Sequence, residues 1–64
     1  MLKPGDLVRH SLSEEIYLLV GRYYDPRDGR KYTQYQLSQW RAIRLGDTQL
    51  RQQLIHASYL KEIA

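Results

Sequence analysis

The chain has 64 residues, a net charge of +3 and no cysteine, so it forms at most one domain and excludes both disulfides and cysteine-containing zinc sites. Its two histidines stand far apart in the sequence, and neither a metal site nor a cofactor is expected. The longest apolar run, residues 16–20, is far shorter than the roughly 20 residues that a membrane-spanning helix needs.

The first two predicted strands cover residues 7–12 and 16–24. The turn signal Pro4-Gly5-Asp6 precedes the first of them, as expected before a strand. Residues 16–24 are rich in β-branched and aromatic side chains, which favours a strand, and both of its faces are largely apolar, which favours a central one. Gly21 within this strand predicts a bulge or a sharp bend.

Alternation along the second strand divides its side chains into two faces. Ile16, Leu18 and Val20 share one face, and we assign that face to the core. The full predicted core consists of Leu7 or Val8, Ile16, Leu18, Val20, Leu37, Ile43, Leu54 and Ile63, with Trp40 partly buried.

The strongest turn signal lies at residues 25–30, where Asp25-Pro26 begins a turn and Asp28-Gly29 supplies the backbone to close it. We expect a hairpin tip over residues 25–31, followed by a long third strand over residues 31–43. The apolar spacing in that strand breaks once, which predicts a bulge near Ser38 and Gln39. Residues 45–48 form the next predicted turn.

Residues 48–64 allow two interpretations. They contain no glycine or proline, and Leu50, Leu54 and Ala57 have helical spacing. The alternative is a strand over residues 49–56, a short turn over 57–59 and a last strand over 60–63. We favour the strands, because three earlier strands need partners to avoid an exposed edge.

This layout resembles that of small SH3-like barrel proteins from short bacterial and phage reading frames. The resemblance spans residues 1–64 and rests on the opening Lys3-Pro-Gly-Asp-Leu-Val, on Trp40 at a strand end, and on Tyr59-Leu-Lys-Glu-Ile near the end of the chain. It implies an all-β fold, a five-stranded SH3-like barrel with a short helical turn before the last strand. The opening is also similar to that of KOW-type barrels in transcription and ribosomal proteins, although the glycine of that motif is missing after Val8.

No catalytic motif is recognisable in the sequence. The serines and the two histidines lack the surroundings that an activated nucleophile requires, and a barrel of this size has little room for a closed pocket. We therefore expect a non-enzymatic protein.

The centre of the chain is basic and aromatic. Residues 22–51 hold seven basic and three acidic side chains, and arginine predominates, as it does where phosphate or carboxylate is gripped. Six tyrosines, one tryptophan and no phenylalanine make the aromatic residues amphipathic, as at protein interfaces. The predicted binding residues are Arg22, Tyr23, Arg27, Arg30, Lys31, Tyr35, Trp40, Arg41 and Arg44.

Two kinds of ligand fit this pattern. The favoured hypothesis is a small binding module that docks on a larger protein complex, as a phage or bacterial accessory protein would, with a homodimer as a further possibility. The alternative is nucleic-acid binding, because arginine neutralises phosphate and aromatic faces stack on bases. The initial Met1 and the lack of a signal-peptide pattern predict an intact, cytoplasmic product without membrane partners.

Overall fold

A computed structural model describes residues 1–63 as five β-strands and two short helical segments. The strands are β1 (Leu7–His10), β2 (Ile16–Arg22), β3 (Gln39–Arg44), β4 (Gln52–His56) and β5 (Leu60–Glu62). A one-turn helix, α1 (Gln34–Leu37), precedes β3, and a 3-10 turn, Ala57–Tyr59, precedes β5. The all-β prediction, the five strands and the helical turn before the last strand are confirmed. None of the helices in residues 1–63 has the length and apolar content to cross a bilayer.

All five strands form one antiparallel sheet in the order β4-β3-β2-β1-β5. The sheet is open, with β4 and β5 as its edges. The strand interpretation of the last segment is confirmed, because β4 pairs with β3 along its whole length and β5 returns to pair with β1. Tertiary pairing has overridden the local helical preference of these residues.

Gly21 lies at a break in the pairing of β2 with β3, as predicted. Leu19 pairs with Ala42 and Gly21 with Arg41, so that β2 carries an extra residue between them. The Arg41 guanidinium lies directly over Gly21, and a Cβ atom at Gly21 would stand 2.6 Å from Arg41 Nη2. The extra residue is Val20, and Gly21 beside it leaves the space for an arginine.

The core lies on the opposite face of β2 from the one assigned to it above. Tyr17 and Leu19 are buried, whereas Leu18 is 38% exposed. The buried apolar residues are Val8, Tyr17, Leu19, Trp40, Ala42, Ile55 and Leu60.

The predicted core was therefore wrong except for Val8. Leu7, Leu18, Leu54 and Ile63 are exposed, and the remaining expected members, Ile16, Val20, Leu37 and Ile43, are only half-buried. Trp40 was predicted to be partly buried, but its side chain is fully enclosed, with only 2% exposed. Because both faces of β2 are apolar, alternation identified the two sets of residues but not which set the sheet curves around.

The long strand predicted over residues 31–43 is wrong, and so is the bulge near Ser38 and Gln39. Residues 34–37 form α1, Ser38 caps its end and β3 begins only at Gln39. The Thr33 hydroxyl accepts the Gln36 backbone N–H, and the Gln36 side chain accepts the Thr33 N–H, a capping box that starts a helix. The predicted hairpin is thus an antiparallel β2–β3 pair joined by a long connection rather than a tight tip.

Asp47 organises the loop between β3 and β4. It is buried, and its Oδ1 accepts the backbone N–H of Gln49 at 2.9 Å, while its Oδ2 accepts from the backbone and Nε of Arg51. The Gln49 hydrogen bond, followed by the contacts with Arg51, holds the pKa of Asp47 below its ordinary value. Folding therefore favours the ionised carboxylate.

We expect this loop to make the protein acid-sensitive. Because the pKa of Asp47 is lower in the folded chain than in the unfolded chain, its contribution is complete above the ordinary aspartate pKa of about 3.9 and is lost as the pH falls through the lowered value. Urea unfolding measured across this range should show a falling free energy of unfolding. Asp47→Asn should flatten the curve; an unchanged slope in that variant would contradict this role.

Candidate functional site

In the described part of the chain, most acidic side chains are paired with a basic group, so the excess positive charge belongs to the few basic side chains that have no acidic partner. Among residues 1–63, six pairs with N···O distances up to 4.0 Å engage Lys3, Arg27, Arg30, Arg44, Arg51 and the amino terminus. The basic side chains of these residues that lack such a partner are Arg9, Arg22, Lys31, Arg41 and Lys61. Glu14 is the one acidic side chain of the same segment without a basic partner, so unpaired charge is strongly positive.

Trp40 and α1 position Arg22. The Arg22 guanidinium lies 4.4 Å from the centre of the Trp40 ring, within cation–π range. Its Nη1 also donates to the Leu37 carbonyl at 3.1 Å. A core residue and the end of a helix therefore hold an exposed arginine that has no carboxylate partner.

Arg41 is held by three neighbours at the bulge. Its Nε donates to the Arg22 carbonyl at 3.1 Å, and its Nη1 donates to Gln52 Oε1 at 3.2 Å. The guanidinium lies over the bare backbone of Gly21. Arg22 and Arg41 are thus pre-oriented, which lowers the entropy lost when a guanidinium binds an anion.

Three tyrosines form a cluster in the connection that follows β2. Tyr32 lies 6.1 Å from Tyr23, edge to face, and 5.8 Å from Tyr24, measured between ring centres. The Tyr32 hydroxyl donates to Asp28, and this hydrogen bond is the main reason that the pKa of Asp28 is below its ordinary value. Arg30 pairs with the same carboxylate, so the loop is ordered by its own polar contacts.

An open pocket of about 400 Å³ lies where β2, this loop and β3 meet. We call it the arginine pocket. It is lined by Arg22, Tyr23, Tyr24, Asp25, Pro26, Arg27 and Arg41. Four of the predicted binding residues, Arg22, Tyr23, Arg27 and Arg41, are therefore brought together here.

The other predicted binding residues lie elsewhere. Arg30 and Lys31 are exposed in the same loop, but Arg30 is paired with Asp28. Tyr35 is on α1, where its ring lies 4.8 Å from that of His56. Arg44 is at the far end of β3 and pairs with Glu15, and Trp40 supports the pocket from the core rather than lining it.

The predicted binding residues do not include Gly21, Tyr24, Asp25 or Pro26. Tyr24, Asp25 and Pro26 line the pocket, and Gly21 makes room for Arg41. Tyr24 directly follows the predicted binding residues Arg22 and Tyr23, and this proximity in the sequence would have identified it. No local signal exists for Gly21, because its role depends on the strand opposite.

The two histidines shape turns. His10 Nδ1 accepts the backbone N–H groups of Leu12 and Ser13, and His56 Nδ1 accepts that of Ser58. Within residues 1–63 no three His, Asp or Glu side chains are grouped as a metal site requires.

Comparisons of the chain with protein-family models, with curated proteins and with solved structures gave no match. The arginine pocket is therefore interpreted from its own geometry.

Proposed function

We propose that this protein is a non-enzymatic binding module that docks on a larger protein through the arginine pocket. The observation that carries the proposal is the pair Arg22 and Arg41, two pre-oriented guanidinium groups without carboxylate partners among residues 1–63. Guanidinium forks match carboxylates in a bidentate geometry. The tyrosines beside them provide the half-wet aromatic contacts that interfaces favour.

The carboxylates in the loop favour a protein ligand over a nucleic acid. Asp25 lines the pocket and pairs with Arg27, and Asp28 pairs with Arg30. A nucleic-acid strand would bring its phosphates close to these carboxylates, and the charges would repel. A protein side chain can bring one carboxylate to Arg22 or to Arg41 and avoid both.

Nucleic-acid binding is the second candidate, because half-exposed Tyr23 and Tyr24 stand beside Arg22. Such a surface can stack bases and neutralise phosphate. Its signature is a steep loss of affinity with increasing salt.

We infer an SH3-like barrel in which the open sheet curls around Trp40 and Leu19. The strand order, the 3-10 turn before β5 and the burial of one sheet face without a second layer among residues 1–63 support it. An accessory role in a bacterial or phage complex fits a module of this kind.

The decisive variants act on Arg41, one directly and the other through its neighbour Gly21. Arg41→Gln should weaken binding to the captured partner about ten-fold, or roughly 1.4 kcal/mol. Gly21→Ala should act in the same direction, because its methyl group displaces the Arg41 guanidinium, while thermal unfolding stays close to wild type since only a flexible side-chain end must move.

Arg44→Gln is the matched control, because Arg44 belongs to β3 but pairs with Glu15 away from the pocket. Partners captured from lysate by crosslinking should be lost with Arg41→Gln and kept with Arg44→Gln. Equal loss with both variants would show that overall charge, rather than the pocket, drives binding. Binding of single-stranded DNA with a steep salt slope, abolished by Arg41→Gln, would replace the protein ligand with a nucleic acid.

A further inference from the structure

The sheet face opposite the core carries a continuous apolar row. Leu7 pairs with Leu18 and Leu18 pairs with Ile43, so these three side chains lie side by side across β1, β2 and β3. Ile63 follows β5, which pairs with β1, and it lines a groove together with Leu7. We call the surface built on this row the outer face.

The outer face is unusually exposed for an apolar surface. Leu7 is 47% exposed, Ile63 44% and Leu18 38%, and half-buried Ile16 and Ile43 continue the patch. Single exposed apolar residues are ordinary, but a contiguous row across several strands marks an interaction surface. Among residues 1–63, Leu7, Leu18 and Ile63 are thus open to solvent.

Unpaired cations stand on both sides of this row. Arg9 pairs in register with Ile16 and with Lys61, which places both cations on the outer face beside the row. Arg41 lies on the same face at the other side, where its Nη1 contacts Gln52, the register partner of Ile43.

The carboxylates near the row are already paired. Asp6, which lines a groove with Leu7 and Ile63, binds Lys3. Glu62 is in register with core residue Val8 and binds the amino terminus, and Glu15 binds Arg44. Glu62 does line a shallow groove of about 320 Å³ beside Arg9, Lys61 and Ile63, but its charge is already paired. Among the described residues, the outer face is thus apolar in its middle and cationic at its flanks.

This charge pattern indicates what kind of partner the outer face binds. A second copy of the chain packed face to face would oppose one cationic surface to another, which costs affinity. We propose that the outer face binds an acidic amphipathic segment of a protein partner, whose apolar side chains cover Leu7 and Leu18 and whose carboxylates reach Arg9, Lys61 and Arg41. This is a second contact surface, distinct from the arginine pocket except for Arg41.

Designed peptides can test the proposal without a known partner. The probes are an amphipathic helix with a polar face of glutamate, the same peptide with lysine instead, and a glutamate peptide whose apolar residues are replaced by serine. Fluorescence anisotropy should show binding of the first probe alone, with a Kd in the micromolar range. Leu18→Gln and the double variant Arg9→Gln/Lys61→Gln should each weaken it at least about ten-fold.

The control is Leu12→Gln, which removes a leucine that is 75% exposed in the β1–β2 turn and outside the row. It should bind the acidic probe like wild type, and so should Arg22→Gln, which damages only the arginine pocket. Loss of lysate partners with Arg22→Gln and of peptide binding with Leu18→Gln would separate the two surfaces. Thermal unfolding of each variant verifies that it is folded.

Four results would overturn the proposal. These are no binding of the acidic amphipathic probe, equal binding of the lysine probe, or binding that Leu18→Gln leaves unchanged. The fourth is evidence for a different occupant. A wild-type dimer in sedimentation that Leu18→Gln dissociates would assign the outer face to a second copy of the chain. Binding of the protein to phosphatidylserine vesicles in preference to the peptide would assign it to an anionic membrane surface.

Discussion

Trp40→Ala is expected to leave much of the protein unfolded at room temperature. Trp40 is 2% exposed and among the largest buried side chains, and truncation of a buried tryptophan costs about 3–5 kcal/mol. A chain of 64 residues has a total free energy of unfolding of roughly 3–10 kcal/mol. The variant also loses the cation–π contact with Arg22, so urea unfolding followed by circular dichroism should show a much lower midpoint.

Trp40→Phe is the matched control for this prediction. It keeps an aromatic ring in the core and should cost roughly 0.5–3 kcal/mol, less than the alanine variant. Wild-type fluorescence should be that of a tryptophan shielded from water until unfolding. A water-exposed emission spectrum in the native protein, or a Trp40→Ala variant as stable as wild type, would contradict the burial of Trp40.

The second large effect comes from two neighbouring leucines. Leu19 is 1% exposed and Leu18 is 38% exposed, because successive side chains of β2 point to opposite faces. Leu19→Ala should lower the free energy of unfolding by about 2–5 kcal/mol. Leu18→Ala should change it by less than about 1 kcal/mol.

Each variant is the control for the other, because the same substitution is made at adjacent positions of one strand. Urea unfolding of both variants and of wild type gives the two differences directly. Equal costs would mean that both faces of β2 are buried in solution. A larger cost for Leu18→Ala would restore the core assignment made from the alternation pattern.

The pattern of residues predicted some features for sound local reasons. The β-branched and aromatic residues of 16–20 specified β2, and Gly21 marked the bulge because a strand interior rarely tolerates glycine without a reason. The capping box from Thr33 to Gln36 was also visible as a sequence motif, yet the tyrosines around it favoured a strand. Here local capping prevailed over strand propensity, and the third strand is shorter than predicted.

The arginine pocket was only half predictable. Arg22, Tyr23 and Arg27 are near one another along the chain, so their clustering follows from sequence proximity. Arg41 joins them because β3 pairs with β2 in a register that places it opposite Gly21. Arg44, three residues further on, is carried away from the pocket by the same strand geometry and is neutralised by Glu15.

The sequence by itself determined the strand over residues 16–20 and the irregularity near Gly21. For residues 48–64 it allowed a helix as well as strands, and the pairing of β4 with β3 and of β5 with β1 decided for strands. Only the tertiary structure decided which face became the core. The two apolar sets of β2, represented by Leu18 and Leu19, have similar hydrophobicity and differ by one residue in phase, so each would satisfy strand alternation. The pairing of β1 with β5 and the burial of Trp40 selected the Leu19 face, and that choice left Leu18 and its neighbours exposed as the outer face.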